Sequence, residues 1–532
     1  MARSSTLPFA GHVSHHVLLS GLLAILLAGN VDAGEIRRSA QPIHGQYIVV
    51  LKHEAVDDTN PSSIAADMQV RFGIEKVGHV FTTALRGFSA EMSDENARQL
   101  ADDPRVAYIE ENGVVAAIDL VEANDRGFAE SAIVASAAIQ MPAPWNLDRI
   151  DQRMLPLSGT YSFDAAPTSG VDVYILATGI RITHSDFSGR AFHLFDATGE
   201  GPEDCNGHGT AVAGVVGGSK WGVAKGVPMY SVKVLNCNGS GTFAGAIQGI
   251  DFVAGRPGTR VMVLPFGGSA NQAVDDAVEA ATLQGALAVT AAGNSNNDAC
   301  TLSPARVPSA LTVGGTTPAD AKADFSNFGL CVDLFAPGTG IETDWIASDT
   351  DTRTINGTPF SAAHVAGAAA IYWAGHPSAT PADVHNAIVA AATPDVLSNA
   401  SPNLLLYTGD LFACPGSPPS AIVTGGGMIP NGGSSIVHVS ITGGVPPFHV
   451  TLTNGGGFQT SSSRELDFTV NPSVTTTYAV EWLSDANNCA AEASGSAAVR
   501  LFSNAPTASP VVLVLLVVAM SLIALTKLRS MT

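Results

Sequence analysis

The pattern of apolar and polar positions changes character along the chain. Between residues 45 and 115, apolar runs at Gln46–Lys52 (QYIVVLK), Gly87–Met92 (GFSAEM) and Val106–Glu110 (VAYIE) alternate with amphipathic stretches at Ser62–Phe72 and Asp94–Leu100. This order predicts a β-α-β-α-β unit, which in about 70 residues folds as a small open α+β sandwich. A weakly patterned stretch, 116–140, follows as a linker. From Trp145 to Tyr407, apolar strands such as VDVYIL, MYSVKVL, VMVLPF and ALAVTAAGN alternate with Gly- and Ala-rich helical stretches. Continuous apolar strands interleaved with helices predict an α/β domain at 141–410, a parallel sheet covered by helices on both faces. Ligand sites on such a sheet lie at the C-terminal ends of its strands. Beyond Cys414 the texture turns to Gly, Ser and Thr with short alternating segments (SIVHVSI, FHVTLT, LDFTV, TTYAVEWL), which predicts a small β-sandwich at 414–502.

Two further apolar runs lie near the ends. Arg3, the run Val17–Leu27 and the small residues around Val31-Asp32-Ala33 read as an export signal over 1–33. The run Val511–Thr526, followed by Lys527 and Arg529, reads as a transmembrane anchor within 508–526. As a helix it rises about 24 Å against a hydrocarbon core of about 30 Å, so flanking residues or local thinning must contribute. A removable sorting tail is the competing reading. With the signal at one end and the basic residues at the other, the intervening ectodomain is expected on the extracellular or periplasmic side.

Composition narrows the function. Hydrophobic residues make up 46% of the 532 and charged residues 14%, which describes a packed chain rather than a disordered one. A net charge of -21 with only 26 Lys and Arg excludes a nucleic-acid surface. The 6 cysteines suit an oxidising compartment and contain no CxxC pair, so zinc-type spacing is absent. Sequential disulfides, Cys205–Cys237, Cys300–Cys331 and Cys414–Cys489, are the simplest of the many pairings open to them.

Four segments carry the most specific information: Ala143–Ile150 (APWNLDRI), Asn206-Gly207-His208-Gly209-Thr210, Ala291-Ala292-Gly293-Asn294, and Asn356–Gly367 (NGTPFSAAHVAG). Together they resemble the subtilases, subtilisin-like serine proteases, and within them the proteinase K and aqualysin branch. The resemblance extends from about Gly45 to Tyr407 and implies that 45–115 is an inhibitor-type propeptide and 141–410 a subtilisin-like domain. In that family a D-T-G strand end supplies an Asp, N-G-H-G-T a His, and G-T-S-M-A a Ser. The Ser attacks the carbonyl, the His takes its proton, and the Asp holds the imidazole tautomer. An Asn side chain and the Ser backbone N–H stabilise the oxyanion.

Several of these parts are missing. The resemblance assigns His208 to the general base and Asn294 to the oxyanion side chain, and both remain. The Asp position falls on Ala177 in Ile175-Leu176-Ala177-Thr178-Gly179, and Asp172 is an odd number of residues away, pointing to the other face of a strand. The Ser position falls on Pro359, which removes the nucleophile and a backbone donor together. Thr358 is expected to cap the following helix with Pro359 at its first position. Ser361, two residues along a helix, turns to nearly the opposite side. The groove departs from the family as well: Pro265 enters the segment Pro265-Phe266-Gly267 that pairs with bound peptide, weakening strand addition, whereas the opposite wall Gly239-Ser240-Gly241 matches. Ala211 replaces a further family His.

The resemblance also implies a structural calcium held by Pro308, Ala310 and Asp333, and no organic cofactor. The expected function is that of a membrane-tethered pseudoprotease binding a protein or peptide, and its own propeptide, without catalysis. An active serine endopeptidase with an unrecognised catalytic arrangement and a purely structural surface protein are the rivals.

Overall fold

The computed structural model describes residues 35–53, 60–118, 121–122, 139–163, 170–409, 411, 419–485 and 492–502. The expected export signal, the 508–526 anchor, the Cys414–Cys489 pair and most of the 116–140 linker lie outside these residues. Among the described residues no helix is long and apolar enough to cross a membrane.

The N-terminal unit comprises β1 (Pro42–Leu51), α1 (Pro61–Phe72), β2 (Lys76–Phe81), β3 (Gly87–Glu91), α2 (Asp94–Ala101) and β4 (Val106–Ala117). The Asn60 side chain accepts from Ser62 N and Pro61 opens α1, while Gly73 closes it in the left-handed region. Ser93 caps α2 by accepting from Asn96 N. The strands pair antiparallel in the order β4-β1-β3-β2, and Tyr47, Val49, Met68, Phe88, Leu100 and Ile109 lie in one core. Strand β2 is an addition to the sequence reading, and β4 runs on to Ala117, beyond the expected boundary at 115. A short strand β5 (Val121–Glu122) follows.

The second unit contains α3 (Trp145–Ile150), β6 (Val171–Ala177), β7 (Ala191–Asp196), α4 (His208–Gly217), β8 (Met229–Lys233), β9 (Ser240–Thr242), α5 (Phe243–Ala254), β10 (Thr259–Leu264), β11 (Phe266–Ser269), α6 (Gln272–Leu283) and β12 (Ala286–Ala291). It continues with β13 (Leu311–Thr316), β14 (Leu334–Pro337), β15 (Ile341–Asp344), β16 (Thr352–Asn356), α7 (Thr358–Gly375) and α8 (Pro381–Ala391). Strands β7-β8-β6-β10-β12-β13-β14 pair parallel in that order. Both sheet faces are covered, which explains the continuous apolar runs. Along β6, Val171, Val173, Ile175 and Ala177 pack with α4 and α7, whereas Tyr174 and Leu176 pack with α5 and α6. The C-terminal end of β6 therefore delivers residue 177 beneath the start of α4.

The C-terminal strands, including Ser420–Gly425, Ser435–Thr442, Phe448–Leu452, Glu465–Val470 and Ala497–Phe502, share a core of Val437, Val439, Phe448, Val450, Phe468 and Tyr478. Their alternating burial matches the alternation read from the sequence.

Candidate functional site

The start of α4 is built by Asp204. Its Oδ1 accepts from Thr178 Oγ1 at 2.9 Å, Asn206 N at 3.0 Å and Gly207 N at 2.9 Å, and its Oδ2 accepts from Thr210 N at 2.9 Å and Thr210 Oγ1 at 2.6 Å. Gly207, at φ 105°, makes the turn into the helix, and the Cys205–Cys237 disulfide ties this loop to the segment before β9. His208 is then the first helical residue. It is 1% exposed, and neither ring nitrogen has a hydrogen-bond partner. Burial pushes its pKa down to about 4, opposed by the nearby Asp204 charge, so the imidazole is neutral at pH 7.

Ala177 supplies no carboxylate to this imidazole. The first turn of α4 rests on the strand end: a Cβ on Gly209 would lie 3.2 Å from Ala177 Cβ and 2.0 Å from Gly179 O. Asp172 is on the other face, 3.5 Å from the Tyr174 hydroxyl. Asp204, not singled out in the sequence, is the carboxylate that influences His208, but its bonds to the loop and to Thr210 occupy both oxygens. Lys233 is a second residue the sequence reading passed over. It lies beside Ala177 in register, fully buried, and donates to Thr178 O at 2.5 Å. A lysine within an otherwise apolar strand, SVKVL, was the available signal.

At the nucleophile position the expectation for Thr358 needs correction. Gly357, at φ 150°, is the cap of α7, Thr358 is the first helical residue and Pro359 the second. The Thr358 amide and hydroxyl both donate to Asn294 Oδ1 at 2.9 Å, and Gly293 N donates to Thr358 Oγ1 at 3.1 Å. Thr358 thus fixes the orientation of Asn294 instead of capping the helix. Pro359 is tolerated because the first-turn amides of a helix have no partner within it. Ser361 is fully buried and donates to Pro337 O at 3.1 Å, turned away from the site as expected.

The groove is filled by the chain itself. Residues Val114, Val115 and Ala116 of β4 pair antiparallel with Thr242, Gly241 and Ser240 of β9, and Ala116 and Ala117 pair with Gly267 and Phe266 of β11. Ala117 N donates to Gly239 O at 2.7 Å, and Ile118 N to Pro265 O at 3.5 Å. Pro265 therefore does not prevent strand addition: β11 begins after it, and its carbonyl still accepts. The occupant is the end of β4 together with the first residues of the 116–140 stretch. Past Ile118 the chain reaches the far side of the cleft, where Val121 and Glu122 pair with Asn356 and Ile355 of β16, immediately before Gly357.

Long-range caps hold this arrangement. Glu110 accepts from Gln272 N at 3.0 Å and Ala273 N at 2.8 Å at the start of α6, and Asn112 Oδ1 accepts from Ala244 N at 3.1 Å at the start of α5. In return, Asp251 Oδ1 accepts from Thr83 N and Ala84 N, both at 2.7 Å, and the carboxylate also accepts from Thr82 N and Leu85 N.

The disulfides Cys205–Cys237 and Cys300–Cys331 are formed. Glu200 lies with Cys205 and Cys237, but bonded sulfurs offer no thiolate to a metal. At the expected calcium position, Asp333 Oδ2 accepts from Thr312 N at 2.7 Å, and its Oδ1 is 3.7 Å from His385 Nε2. Burial pushes this carboxyl upward, and Pro308 is exposed while Ala310 is buried. A carboxylate anchored through one oxygen, with the other beside His385, is a hard donor of the kind calcium takes.

Residues 46–117 match the peptidase inhibitor I9 family and 168–409 the subtilase family. An extracellular serine proteinase of Thermus sp. (strain Rt41A) is 44% identical over 390 residues, 69% of this chain and 90% of the relative. The chain belongs to the subtilase family. Alkaline serine exoprotease A of Vibrio alginolyticus is 43% identical, with 63% of this chain and 60% of that protein aligned. A cold adapted subtilisin-like serine proteinase of known crystal structure is 44% identical and aligns with 50% of this chain and 98% of its own, at a TM-score of 0.49. In this subtilase the groove between β9 and β11 is occupied by the end of the chain's I9-type segment.

Proposed function

We propose that this subtilase is a pseudoprotease: an exported protein, tethered by its 508–526 segment, that recognises a protein or peptide without hydrolysing it. The observation that carries the reading is the state of His208, buried, neutral and unpartnered between Ala177 and a helix whose second residue is Pro359. A base with no proton to take and no carboxylate to orient it cannot start acyl transfer. The extracellular Thermus relative supports export of this chain. The propeptide is taken to stay attached, because self-cleavage needs the missing groups. Recognition is assigned to surfaces outside the occupied groove, with the C-terminal β-sandwich at 414–502 as the accessory module. A structural calcium at Pro308, Ala310 and Asp333 completes the reading.

The test uses the purified full-length chain with casein, a chromogenic peptide and a fluorophosphonate probe. The expected result is no labelling and no hydrolysis above that of His208→Ala. Hydrolysis or labelling that disappears in His208→Ala refutes the pseudoprotease reading.

A further inference from the structure

At the opposite end of α4 from His208, two acidic side chains meet. Asp344, the last residue of β15, is fully buried, and neither of its carboxylate oxygens has a hydrogen-bond partner. It faces Asp186 of the one-turn helix Ser185–Phe187, whose Oδ1 accepts from Lys220 N at 2.7 Å. The wall between them is Gly218, which closes α4. A Cβ at that position would lie 2.2 Å from Asp186 Oδ2, 2.7 Å from Gly214 O and 3.3 Å from Asp344 Oδ2. Two carboxylate oxygens and one carbonyl oxygen therefore converge on the bare side of Gly218, where any other residue would place its side chain. Gly214 keeps the other side clear, since a Cβ there would lie 2.8 Å from Asp344 Oδ2.

Among the described residues, no lysine or arginine pairs with either carboxylate. Arg190 directs its guanidinium to Gly217 O, Val227 O, Asp186 O and Ser219 Oγ. The Lys220 ammonium lies 4.1 Å from the Trp221 ring centre, and Lys225 Nζ donates to Lys220 O at 3.1 Å. His184 Nδ1 is 3.4 Å from Asp344 Oδ1, but that nitrogen is already engaged by a backbone amide. Asp186 N donates to Nδ1 at 3.3 Å, and Nε2 lies 2.9 Å from the Asp351 carbonyl, which can only accept. A fully buried carboxylate left in this state is strongly disfavoured, so the cluster takes up either a cation or a proton.

We infer that this cluster is a cation site that takes a divalent ion of the calcium class through Asp344, Asp186 Oδ2 and the Gly214 carbonyl. Hard oxygens in an irregular arrangement suit calcium better than magnesium, which demands near-octahedral geometry. The ion would tie the end of α4 and the Ser185–Phe187 turn to the β15–β16 hairpin. It is independent of the calcium assigned to Asp333.

The test counts calcium directly on the purified full-length chain after dialysis, in wild type, Asp344→Asn and Asp333→Asn. Asp344→Asn is expected to hold one ion fewer than wild type. It is also expected to bind terbium at least tenfold more weakly, read as emission sensitised by Trp221 and Trp345, which adjoin the cluster, with this signal kept in Asp333→Asn. Should Asp344→Asn fail to fold, Asp186→Asn is measured in the same way. Equal calcium content in wild type and the folded variant overturns the inference. So does a wild-type melting temperature that ignores chelator yet falls as pH rises, because a carboxyl pair sharing a proton, with its raised pKa, stabilises the fold only while protonated.

Discussion

Replacing His208 with leucine tests whether the surroundings of this buried imidazole are dry. The imidazole is pushed down to about 4 from an ordinary 6.5, so the unfolded chain binds its proton more readily than the folded one. Stability from this group is therefore present above pH 6.5 and lost as pH falls toward 4. Proton linkage with these two values gives a loss of about 2 kcal/mol between pH 7 and pH 5, and about 3 kcal/mol by pH 4. His364 is also pushed down to about 4 by burial, but it is held by Asn146 and Phe360 in both proteins and cancels from the comparison. His208→Leu removes the titrating group at nearly constant volume. Urea unfolding followed by tryptophan fluorescence should find the variant less acid-sensitive than wild type by about 2 kcal/mol between pH 7 and 5. Identical pH dependence in the two proteins would mean that His208 takes up its proton without penalty, and the account of an isolated, desolvated imidazole would be wrong.

Restoring both missing groups, Ala177→Asp with Pro359→Ser, is expected to make the chain cut itself between Ile118 and Val121, where it crosses from β11 to β16. Loss of the triad Asp costs subtilisin, a relative, about 10⁴ in turnover, so the double change should cleave on the order of 10⁴-fold faster than Pro359→Ser alone. Mass spectrometry reads the cut, and fragments ending elsewhere would contradict the threading of this segment. Asp251→Ala deprives the Thr82–Leu85 amides of their acceptor, with an expected cost of about 2–4 kcal/mol. Hydrogen exchange should quicken at those amides, and unchanged protection would show that the contact contributes nothing to docking.

The reading of 177 and 359 rests on the motif residues that remain beside them, Thr178-Gly179 and Gly357-Thr358, although Phe360 and Ser361 depart from the family pattern as well. The parallel sheet was legible because strands buried on both faces leave long apolar runs. Strand β2 was not. It is an edge strand whose pairing shifts between Val77 and Val80, so the two-residue alternation is broken where it would have been read. The role of Thr358 was misread because capping is a local expectation, and the competing acceptor, Asn294, is 64 positions away. Still longer separations hide the Asp251 contacts and the β5–β16 pairing, which involves too few residues to leave a pattern. The Asp186–Asp344 meeting depends on glycines at 214 and 218, which in sequence look like ordinary helix dilution.

The filled groove changes what concentration means for any outside ligand. In the uncut chain proposed above, the strand lying between β9 and β11 is tethered to the surface it covers, so its effective concentration there is on the order of millimolar, whatever the amount of protein. A free peptide with the same intrinsic affinity would have to reach that level to displace it from half the molecules. Peptides present at micromolar levels would meet a groove closed to them by mass action alone, with no gate and no conformational change.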